Sequence, residues 1–442
     1  MQKIEPRTLQ GMTDYLPDEM ALRRHVKETW IKIFQKYGYG ELETPAIEYA
    51  DVLLGSYGEE EKLIYKFKDL GDREVALRYD QTVPLARVMT QHEARLTFPF
   101  KRYEINRVWR ADSARKGRKR EFYQCDIDII GSDDVMAESE IIAVLHEGFT
   151  ALGLSDHQIY INHRKAVNGF LRTLDLPEKA HIDVLRSIDK VDKIGMKGVE
   201  EELKTRGISA KAIPAILNFL EKDDEKVESA LGNLSKMVKG DNEGENGVSE
   251  LKKLVQYLAH YNIPQKNYRL KPSLVRGLDY YTGIVFEVKL PSFGNASLAG
   301  GGRYSELCSR FSDKKLSGTG VGIGFEPICM AIKELNLGPK NTAPAAVLVT
   351  IFNEELVGKS IETAQFLRNK GIKTMVYPES DAKLGKQFKY ADRLAIPYIV
   401  VIGPDEVAEG KVVVKNMADG SQKTMRMDVI PDRIVSPQAT ES

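Results

Sequence analysis

Two strand-like runs joined by a strongly basic loop constrain this chain more than any other feature. They lie within residues 102–131, and the second reads EFYQCDIDIIG. Alternate residues of a strand share a face, so this run has one apolar face and one polar face, the latter holding Phe122, Gln124, Asp126 and Asp128. An ordinary half-buried hairpin turns its polar face to water. Acids, an amide and an aromatic ring on one face are instead the groups that hold an amine and a stacked ring.

The first run, RYEINRVWR, carries a matching set of side chains. Glu104, Asn106, Val108 and Arg110 share one side of a strand. Residues 101–120 contain nine Lys or Arg and two acids. A guanidinium at the end of this run adds a group that can bind phosphate, so we predict a ligand site on this hairpin.

Composition limits the class of protein without naming its function. The chain has 442 residues, 42% of them hydrophobic and 29% charged, with 64 basic and 64 acidic residues. This length predicts two or three domains, and the zero formal charge means that any nucleic-acid contact must come from local patches. Three widely spaced cysteines predict a reducing compartment and show no zinc spacing. We expect a cytoplasmic protein with no membrane segment, because no long apolar run or signal core is present.

The hairpin also carries a family resemblance. Arg-Val-Trp-Arg, a basic loop and Gly-Arg-x-Arg-Glu-Phe-x-Gln-x-Asp resemble motif 2 of class II aminoacyl-tRNA synthetases, in the form found in the histidyl-tRNA synthetase family. The passage from the predicted helix over residues 17–37 into YGYGELETPAIEYADVLL resembles motif 1, which builds a dimer interface in that class. On composition alone, the same passage is a core helix packed on an edge strand.

Three later stretches strengthen the resemblance. RGLDYYTG (276–283) could be a turn into a buried strand, but Arg and Asp in the same octet fit that interpretation poorly, and it resembles a motif specific to the histidyl family. AGGGRYSEL (299–307) allows close backbone approach to a ligand and resembles the second such motif. GVGIGFEP (320–327) has small alternate residues that suit a flat ring, and resembles class II motif 3.

VALRYDQTVPLAR (75–87) predicts a site for an ammonium group. In an extended run Arg78, Asp80 and Thr82 would share a face, and a carboxylate beside a hydroxyl can bind an amine. A surface strand end is an equally good interpretation of the residues themselves. The resemblance assigns Asp80 and Thr82 to the α-amino group of the substrate.

The predicted fold is α+β. By the resemblance, it comprises a class II catalytic domain with a mixed or antiparallel sheet over 1–335, interrupted by a helical insertion over 171–263, a C-terminal α/β anticodon-binding domain over 344–430 and a flexible tail over 431–442. The insertion is rich in Lys, Glu and Leu and includes GDNEGENG (240–247), which predicts a flexible linker. The C-terminal domain is predicted from strands that alternate with helices after Pro344.

The resemblance implies a ligase that activates histidine with ATP and transfers it to the 3′ end of tRNA(His), as a homodimer with Mg²⁺ brought by ATP. It implies the following residue roles: catalysis by Arg110 and Arg276; ATP binding by Arg110, Asp112, Arg118 and Phe122; histidine binding by Asp80, Thr82, Gln124, Asp128, Arg276, Tyr280, Tyr281 and Tyr304; and tRNA contacts by Arg115, Lys116, Lys119 and Arg120. The metal ligands are left undefined.

Two departures from the family pattern keep other functions open. Pro327 stands where motif 3 has an arginine that contacts ATP, and Asp128 stands where the family more often has Glu. Arg310 or another cation could replace that arginine, or ATP could bind more weakly. The alternatives without aminoacylation are a regulatory paralogue of ATP phosphoribosyltransferase and a tRNA-sensing pseudo-synthetase. The first typically lacks the C-terminal domain, and the second usually degrades the histidine motifs.

Overall fold

The computed structural model describes residues 3–55, 58–113, 119–221, 226–275, 281–305, 308, 310–312, 316–340 and 342–434. The chain divides into two compact units, one formed by residues 1–14 and 26–337 and the other by residues 15–25 and 338–442. The predicted site residues Arg115, Lys116, Arg118, Arg276 and Tyr280 lie outside the described residues.

The first unit is built on a large sheet. Its strands are β1 (Gly40–Glu41), β2 (Ile47–Tyr49), β3 (Lys66–Lys68), β4 (Glu74–Leu77), β5 (Phe100–Trp109), β6 (Glu121–Ile130), β7 (Gln158–His163), β8 (Tyr268–Leu270), β9 (Ile284–Leu290), β10 (Ala296–Tyr304) and β11 (Gly318–Gly324). In the described part of the chain, eight of these form one sheet in the order β1-β5-β6-β11-β10-β9-β7-β8. The pairs β1–β5 and β7–β8 are parallel and the others antiparallel. The predicted hairpin is therefore the β5–β6 pair, the second and third strands of this mixed sheet.

A smaller antiparallel sheet, β2-β4-β3, accompanies the large one. The helices that begin before Gly338 are α1 (Pro17–Lys36), α2 (Ala50–Leu53), α3 (Thr82–Gln91), α4 (Met136–Ala151), α5 (Arg164–Thr173), α6 (Glu178–Ile188), α7 (Val191–Thr205), α8 (Ile213–Glu221), α9 (Val227–Met237), α10 (Asn242–His260) and α11 (Phe325–Glu334). Trp30, which is fully buried, packs edge-on against Phe149 of α4 with ring centroids 5.5 Å apart. This contact fixes α4 in the core of the unit.

The predicted flexible linker at residues 240–247 is wrong, because α10 begins there. Asp241 caps the helix by accepting from the Gly244 backbone N–H at 2.7 Å, and it also accepts two bonds from Arg172 of α5 at 2.6 and 2.7 Å. A Cβ on Gly247 would lie 2.8 Å from the Ala166 backbone nitrogen. The glycines therefore serve close approach of α10 to α5 rather than flexibility.

The second unit carries its own five-stranded sheet among the residues that the structure describes. Its elements are β12 (Val347–Val349), α12 (Val357–Asn369), β13 (Thr374–Val376), α13 (Leu384–Arg393), β14 (Tyr398–Val401), α14 (Pro404–Glu409), β15 (Lys411–Asn416), β16 (Gln422–Arg426) and α15 (Ile430–Arg433). The order is β13-β12-β14-β15-β16, with the first three strands parallel and the last two added antiparallel. The predicted alternation of strands and helices is present, and the sheet is mixed.

The predicted frayed tail begins too early. Residues 431–434 are ordered, because Ile430 and Ile434 lie four residues apart across the short helix α15 and both enter the core of the second unit. Residues 435–442 lie outside the described part of the chain. In the part that is described, no helix has both the length and the apolar character needed to cross a bilayer.

Packing of Trp30 against α4 gives a stability prediction. A Cβ added to Gly148 would lie 2.0 Å from the Trp30 ring, so Gly148→Ala should destabilise the protein by about 1–3 kcal/mol through overpacking. Both tryptophans, Trp30 and Trp109, lie in the first unit, so the midpoint of urea unfolding by tryptophan fluorescence measures the effect.

The matched control is Gly232→Ala in α9. Nothing lies within 4 Å of a Cβ at Gly232, so this change should stabilise by up to about 1 kcal/mol through helix propensity. If Gly148→Ala stabilised the protein as Gly232→Ala does, the described packing would be incorrect.

Candidate functional site

The site is built on a repeating pattern across three neighbouring strands. Asp128 of β6 lies opposite Arg102 of β5 and Gly320 of β11; two residues back, Asp126 lies opposite Glu104 and Gly322. Gln124 follows the same rule, opposite Asn106 and Gly324. The polar side chains of β6 therefore project over a row of glycines on one side and charged or polar partners on the other.

The glycines of β11 provide the space that the acids occupy. A Cβ on Gly320 would lie 1.9 Å from the Asp128 carboxylate oxygen Oδ1, and one on Gly322 would lie 3.4 Å from Asp126 Oδ1. Since real Cβ atoms do not approach other atoms as closely as 1.9 Å, position 320 accepts glycine because Asp128 fills the place of a side chain. The sequence interpretation had assigned this small face to a flat ring; here it accommodates buried carboxyl groups.

Arg102 is the cation at the centre of these acids. Its side chain is fully buried, and its guanidinium lies 2.6 Å from Asp128 Oδ2 and 3.8 Å from Glu104 Oε2. Burial lowers the pKa of Arg102, but the neighbouring carboxylates, with that of Asp128 foremost, outweigh burial and leave the pKa raised. Arg102 therefore stays charged inside the sheet.

Glu104 extends this ionic cluster to Thr44 and Arg78. Its carboxylate accepts from the backbone N–H and the hydroxyl of Thr44, both at 3.0 Å, and lies 3.2 Å from Arg78. Arg78 also donates to the carbonyl oxygens of Arg107, at 2.8 Å, and of Thr44. Burial lowers the pKa of Arg78 and Glu104 opposes that shift, so the two groups hold the turn before α3 to β5.

The polar face of β6 opens into a cleft of about 500 Å³. Glycines of β10 and β11 form part of its lining. Five predicted site residues also line it: Thr82, Gln124, Asp128, Tyr281 and Tyr304. At one end the Tyr304 hydroxyl, almost fully buried, donates to Asp128 Oδ1 at 2.7 Å. Burial raises the pKa of Asp128, while Arg102 and the Tyr304 hydroxyl act against that shift. The cleft therefore presents a carboxylate and two phenols, and their predicted contacts with histidine stay predictions.

The predicted extended run over Arg78, Asp80 and Thr82 is wrong. β4 ends at Leu77 and α3 begins at Thr82, because Asp80 Oδ1 accepts from the backbone N–H groups of Thr82 and Val83, both at 3.1 Å. Those N–H groups have no partner within the helix, so a carboxylate here favours a helix start. Thr82 still lines the cleft, whereas Arg78 is buried in the ionic cluster.

Arg110 and Phe122 lie together farther along the hairpin. The Arg110 guanidinium lies over the rings of Tyr79 and Phe122, 4.3 and 5.1 Å from their centroids, and donates to the Tyr79 carbonyl at 3.2 Å. Arg110 is not among the residues that line the 500 Å³ cleft. The two residues are held next to one another as an aromatic and cationic platform beside it.

Three further predicted residues make contacts within the protein. Arg120 donates to the carbonyl oxygens of Asp112 and Gln10 at 2.8 and 3.4 Å, and Asp112 Oδ1 accepts from the Ser113 N–H at 2.7 Å. Lys119 lies 3.8 Å from the Glu326 carboxylate of α11. Their predicted roles in ATP and tRNA binding stay predictions, but the contacts of Arg120 join the loop to the N-terminal segment.

Pro327 is the third residue of α11. The backbone N–H at the third position also lacks a helical partner, so proline is still accommodated. A Cβ on Gly324 would lie 2.6 Å from Pro327 Cγ, which places the ring against the end of β11. Arg310, suggested as a replacement cation, donates to the carbonyl oxygens of Asp51, Val52 and Leu54 at the end of α2.

Sequence reasoning overlooked Arg102 and Gln81 and left Asp126 without a role. Gln81 donates to the carbonyl oxygens of Asn106 and Gln124, at 3.2 and 3.4 Å, and so fixes the start of α3 against the hairpin. Arg102 shares the strand face of Glu104 by simple alternation. Extending the alternation from Glu104 back by two residues would have identified Arg102 as part of the polar face.

Comparisons with known proteins agree with this geometry. The model of the family described as "Histidyl-tRNA synthetase" matches residues 11–328. The chain belongs to the histidyl-tRNA synthetase family. A second model, described as "Anticodon binding domain", matches residues 346–436. The predicted family and fold class are thus confirmed.

Individual members of the histidyl-tRNA synthetase family match over nearly the whole chain. A histidine–tRNA ligase from Clostridium tetani is 39% identical over 96% of this chain and 97% of its own length. The crystal structure of histidyl-tRNA synthetase from Nostoc sp. PCC 7120 is 32% identical, covers 98% of this chain and 99% of its own, and superposes with a TM-score of 0.89. A Bacillus halodurans structure titled as an ATP phosphoribosyltransferase regulatory subunit/histidyl-tRNA synthetase shares the fold, with a TM-score of 0.76 at 23% identity, over 88% of this chain and 97% of its own.

The ionic cluster gives a second prediction. Arg102→Met should destabilise the protein by about 3–5 kcal/mol, because it leaves buried carboxyl groups without their cation. The control is Arg107→Met on the same strand, which removes a half-exposed ion pair with Glu121 at 3.2 Å and should cost no more than about 1 kcal/mol. Urea unfolding measures both; equal, small effects would mean that Arg102 does not hold the cluster.

Proposed function

We propose that this protein is an ATP-dependent histidine–tRNA ligase. The observation that carries the proposal is the Tyr304–Asp128 pair, held by Arg102 at the end of a cleft that Tyr281, Gln124 and Thr82 also line. A neutral imidazole has one N–H donor and one acceptor nitrogen. The carboxylate of Asp128, which accepts, and the phenol of Tyr281, which donates, are complementary to it, while Tyr304 orients the carboxylate.

The amino acid lies along the cleft in this proposal. Its imidazole ring contacts Asp128, Tyr281 and Tyr304, and its α-amino group lies towards Thr82 and Gln124, with Asp80 behind Thr82. Asp128 reaches the ring although it is one methylene shorter than Glu, since the small residues of β11 let β6 side chains approach the floor of the cleft. Tyr280 and Arg276 complete the set by resemblance.

The first chemical step joins histidine to AMP. A carboxylate oxygen of histidine attacks the α-phosphorus of ATP, and the bond from that phosphorus to the bridging oxygen breaks, so that pyrophosphate leaves with the bonding pair. Negative charge builds on the phosphoryl oxygens, which positioned guanidinium groups stabilise. Arg110, oriented by Tyr79, and Arg276 take this role, and neither has to donate or accept a proton.

The second step transfers the aminoacyl group. A ribose hydroxyl at the 3′ end of tRNA(His) attacks the carbonyl carbon of the adenylate, the bond to the phosphate oxygen breaks, AMP leaves and the hydroxyl proton is lost. The basic loop at Arg115, Lys116 and Lys119 contacts the acceptor end of the tRNA in this proposal. Residues 344–430, which fall almost entirely within the region matched by the anticodon-binding model, contact the anticodon.

ATP is bound beside the amino acid. Phe122 stacks on adenine, an interaction generally worth about 1–3 kcal/mol, while Arg118 and Asp112 lie towards the phosphates. Mg²⁺ enters as the ATP complex; in the described part of the chain no group of three or more His, Cys, Asp or Glu side chains is placed to hold a metal ion. A homodimer in the cytoplasm is the state that the family implies.

Histidine-dependent exchange of pyrophosphate into ATP tests the proposed function. The purified protein should catalyse exchange with histidine and charge a tRNA(His) transcript. Asp128→Asn should lower kcat/KM for histidine by about 10–100-fold, because it removes one charged hydrogen-bond acceptor. Folded protein that binds tRNA but shows no exchange would instead favour a regulatory relative.

Pro327 gives a separate prediction about ATP. The first turn of α11 adjoins the start of β6, where Glu326 Oε1 accepts from the Tyr123 N–H at 3.4 Å, next to Phe122. Pro327→Arg should lower the KM for ATP by about tenfold, because it adds a charge-assisted bond to the triphosphate. Pro327→Gln, similar in size and uncharged, is the control; an equal effect of both would assign the change to loss of the proline ring.

A further inference from the structure

Asp126 is a buried acid at the middle of the cleft for which the proposed chemistry gives no role. It is 4% exposed, lies between Gln124 and Asp128 on the polar face of β6, and lines the cleft. Its cross-strand neighbours are Glu104 and Gly322. A carboxyl group in this position must be bound by a partner or neutralised.

The carboxyl group of Asp126 has one oxygen without a partner in the part of the chain that the structure describes. The side-chain amide of Gln124 donates to Oδ2 at a long distance of 3.5 Å, whereas Oδ1 has no hydrogen bond, and neither does Gln124 Oε1. Two acceptor oxygens from neighbouring positions on one strand face therefore lack donors beside the same cavity. A donor supplied by a ligand would satisfy both.

The charges around Asp126 leave a negative excess. From β5, Arg102 lies closest to Asp128, and Glu104 is bound by Arg78. Two guanidinium groups thus face three carboxyl groups, with Asp80 adding a further acid from the turn before α3. β10 and β11 contribute Tyr304 and glycines on this side, so among the described residues the acids around Asp126 leave room for a cation supplied by the ligand.

The protonation of Asp126 agrees with this arrangement. Burial raises the pKa of Asp126 well above its ordinary value; Arg102 opposes the shift, and the carboxyl groups of Asp128, Asp80 and Glu104 add to it. A bound cation stabilises the ionised form. An ammonium group bound beside Asp126 would therefore favour its ionised form.

We propose that Asp126 is a specificity-determining residue that accepts a hydrogen bond from the α-ammonium group of the amino acid on Oδ1, with Gln124 Oε1 accepting from the same group. The inference rests on the proposed function, because histidine supplies the ammonium group. It assigns the selection of a cationic substrate to a buried residue of β6, in addition to the Asp80–Thr82 turn. The ammonium group fills the charge deficit that Arg102 leaves.

The test compares two ligands that differ in one group. L-Histidine and imidazole-4-propionate both carry an imidazole and a carboxylate, and the second lacks the ammonium. Calorimetry with full-length protein should show that Asp126→Asn, which keeps the shape and removes the charge, weakens histidine by about 30-fold or more. The affinity for imidazole-4-propionate should change by less than about threefold.

Glu104→Gln is the matched control. It removes one negative charge from the same cluster at a side chain that faces Thr44 and Arg78 instead of the cleft, so it should not alter the ratio of the two affinities. The inference would be wrong if Asp126→Asn weakened the binding of both ligands equally or of neither. It would also be wrong if Glu104→Gln weakened histidine selectively, as Asp126→Asn is expected to do.

Two measurements keep the result decisive. Asp126→Ser, with a shorter side chain, replaces Asp126→Asn if circular dichroism shows that the latter does not fold. The unaltered protein must itself prefer histidine to imidazole-4-propionate by at least about 30-fold, and equal affinities would overturn the inference without any variant. If Asp126→Asn has no selective effect while histidine-dependent exchange is intact in the unaltered protein, only the role of Asp126 is refuted, whereas absence of exchange in the unaltered protein would refute the proposed function.

Discussion

The ion pair between Arg102 and Asp128 is the interaction on which the site depends. A guanidinium group at the centre of a sheet is costly to desolvate, and carboxylates on the adjacent strand offset that cost only in close geometry. The 2.6 Å separation provides this geometry, and it also fixes the carboxylate that Tyr304 contacts. One contact therefore joins β5, β6 and β10, and it gives the end of the cleft a defined charge and orientation.

The shape of the main chain is the second feature that the site requires. The charged residues of β5 and β6 could not lie side by side over the sheet if β11 carried side chains at the same level. Gly320 and Gly322 remove that obstacle, and Gly301 and Gly302 do the same between β10 and its neighbours, where an added Cβ would lie 2.1 and 2.6 Å from carbonyl oxygens of Gly320 and Ile284. The electrostatics of the site thus follow from backbone positions that glycine alone fits well.

Local alternation was enough to predict the polar face of β6, because the period of a strand is two and the run is long. Gln124, Asp128 and Tyr304 were placed correctly in one cleft for that reason together with the family resemblance. The Asp80–Thr82 turn was not predicted correctly. The residue types there also suit a strand, but the Asp80 carboxylate accepts from backbone N–H groups and so starts a helix. Arg102 was overlooked because its nearest partner, Asp128, is more than twenty residues away in the chain, and the density of basic residues around it suggested an exposed segment.

The glycines show the same limit of prediction from local sequence. The run at residues 240–247 has the composition of a linker, and its true role, close contact of α10 with α5, depends on a helix about seventy residues earlier. Composition reports what a backbone is able to do, and tertiary contact decides which of these possibilities is used. The start of the C-terminal tail shows the reverse case. Its polar residues suggested a flexible segment, but Ile430 and Ile434, one helical turn apart, pack into the core.

The row of glycines beneath the acids also bears on how such a cleft can change. Its floor is peptide backbone, so enzyme engineering cannot deepen it by trimming a side chain there. A bulkier amino acid would have to be admitted by exchanging the acids above or by displacing a whole strand, and displacing β11 would disturb its pairing with both neighbours. The depth of the cleft is consequently resistant to gradual change by single substitutions in its floor.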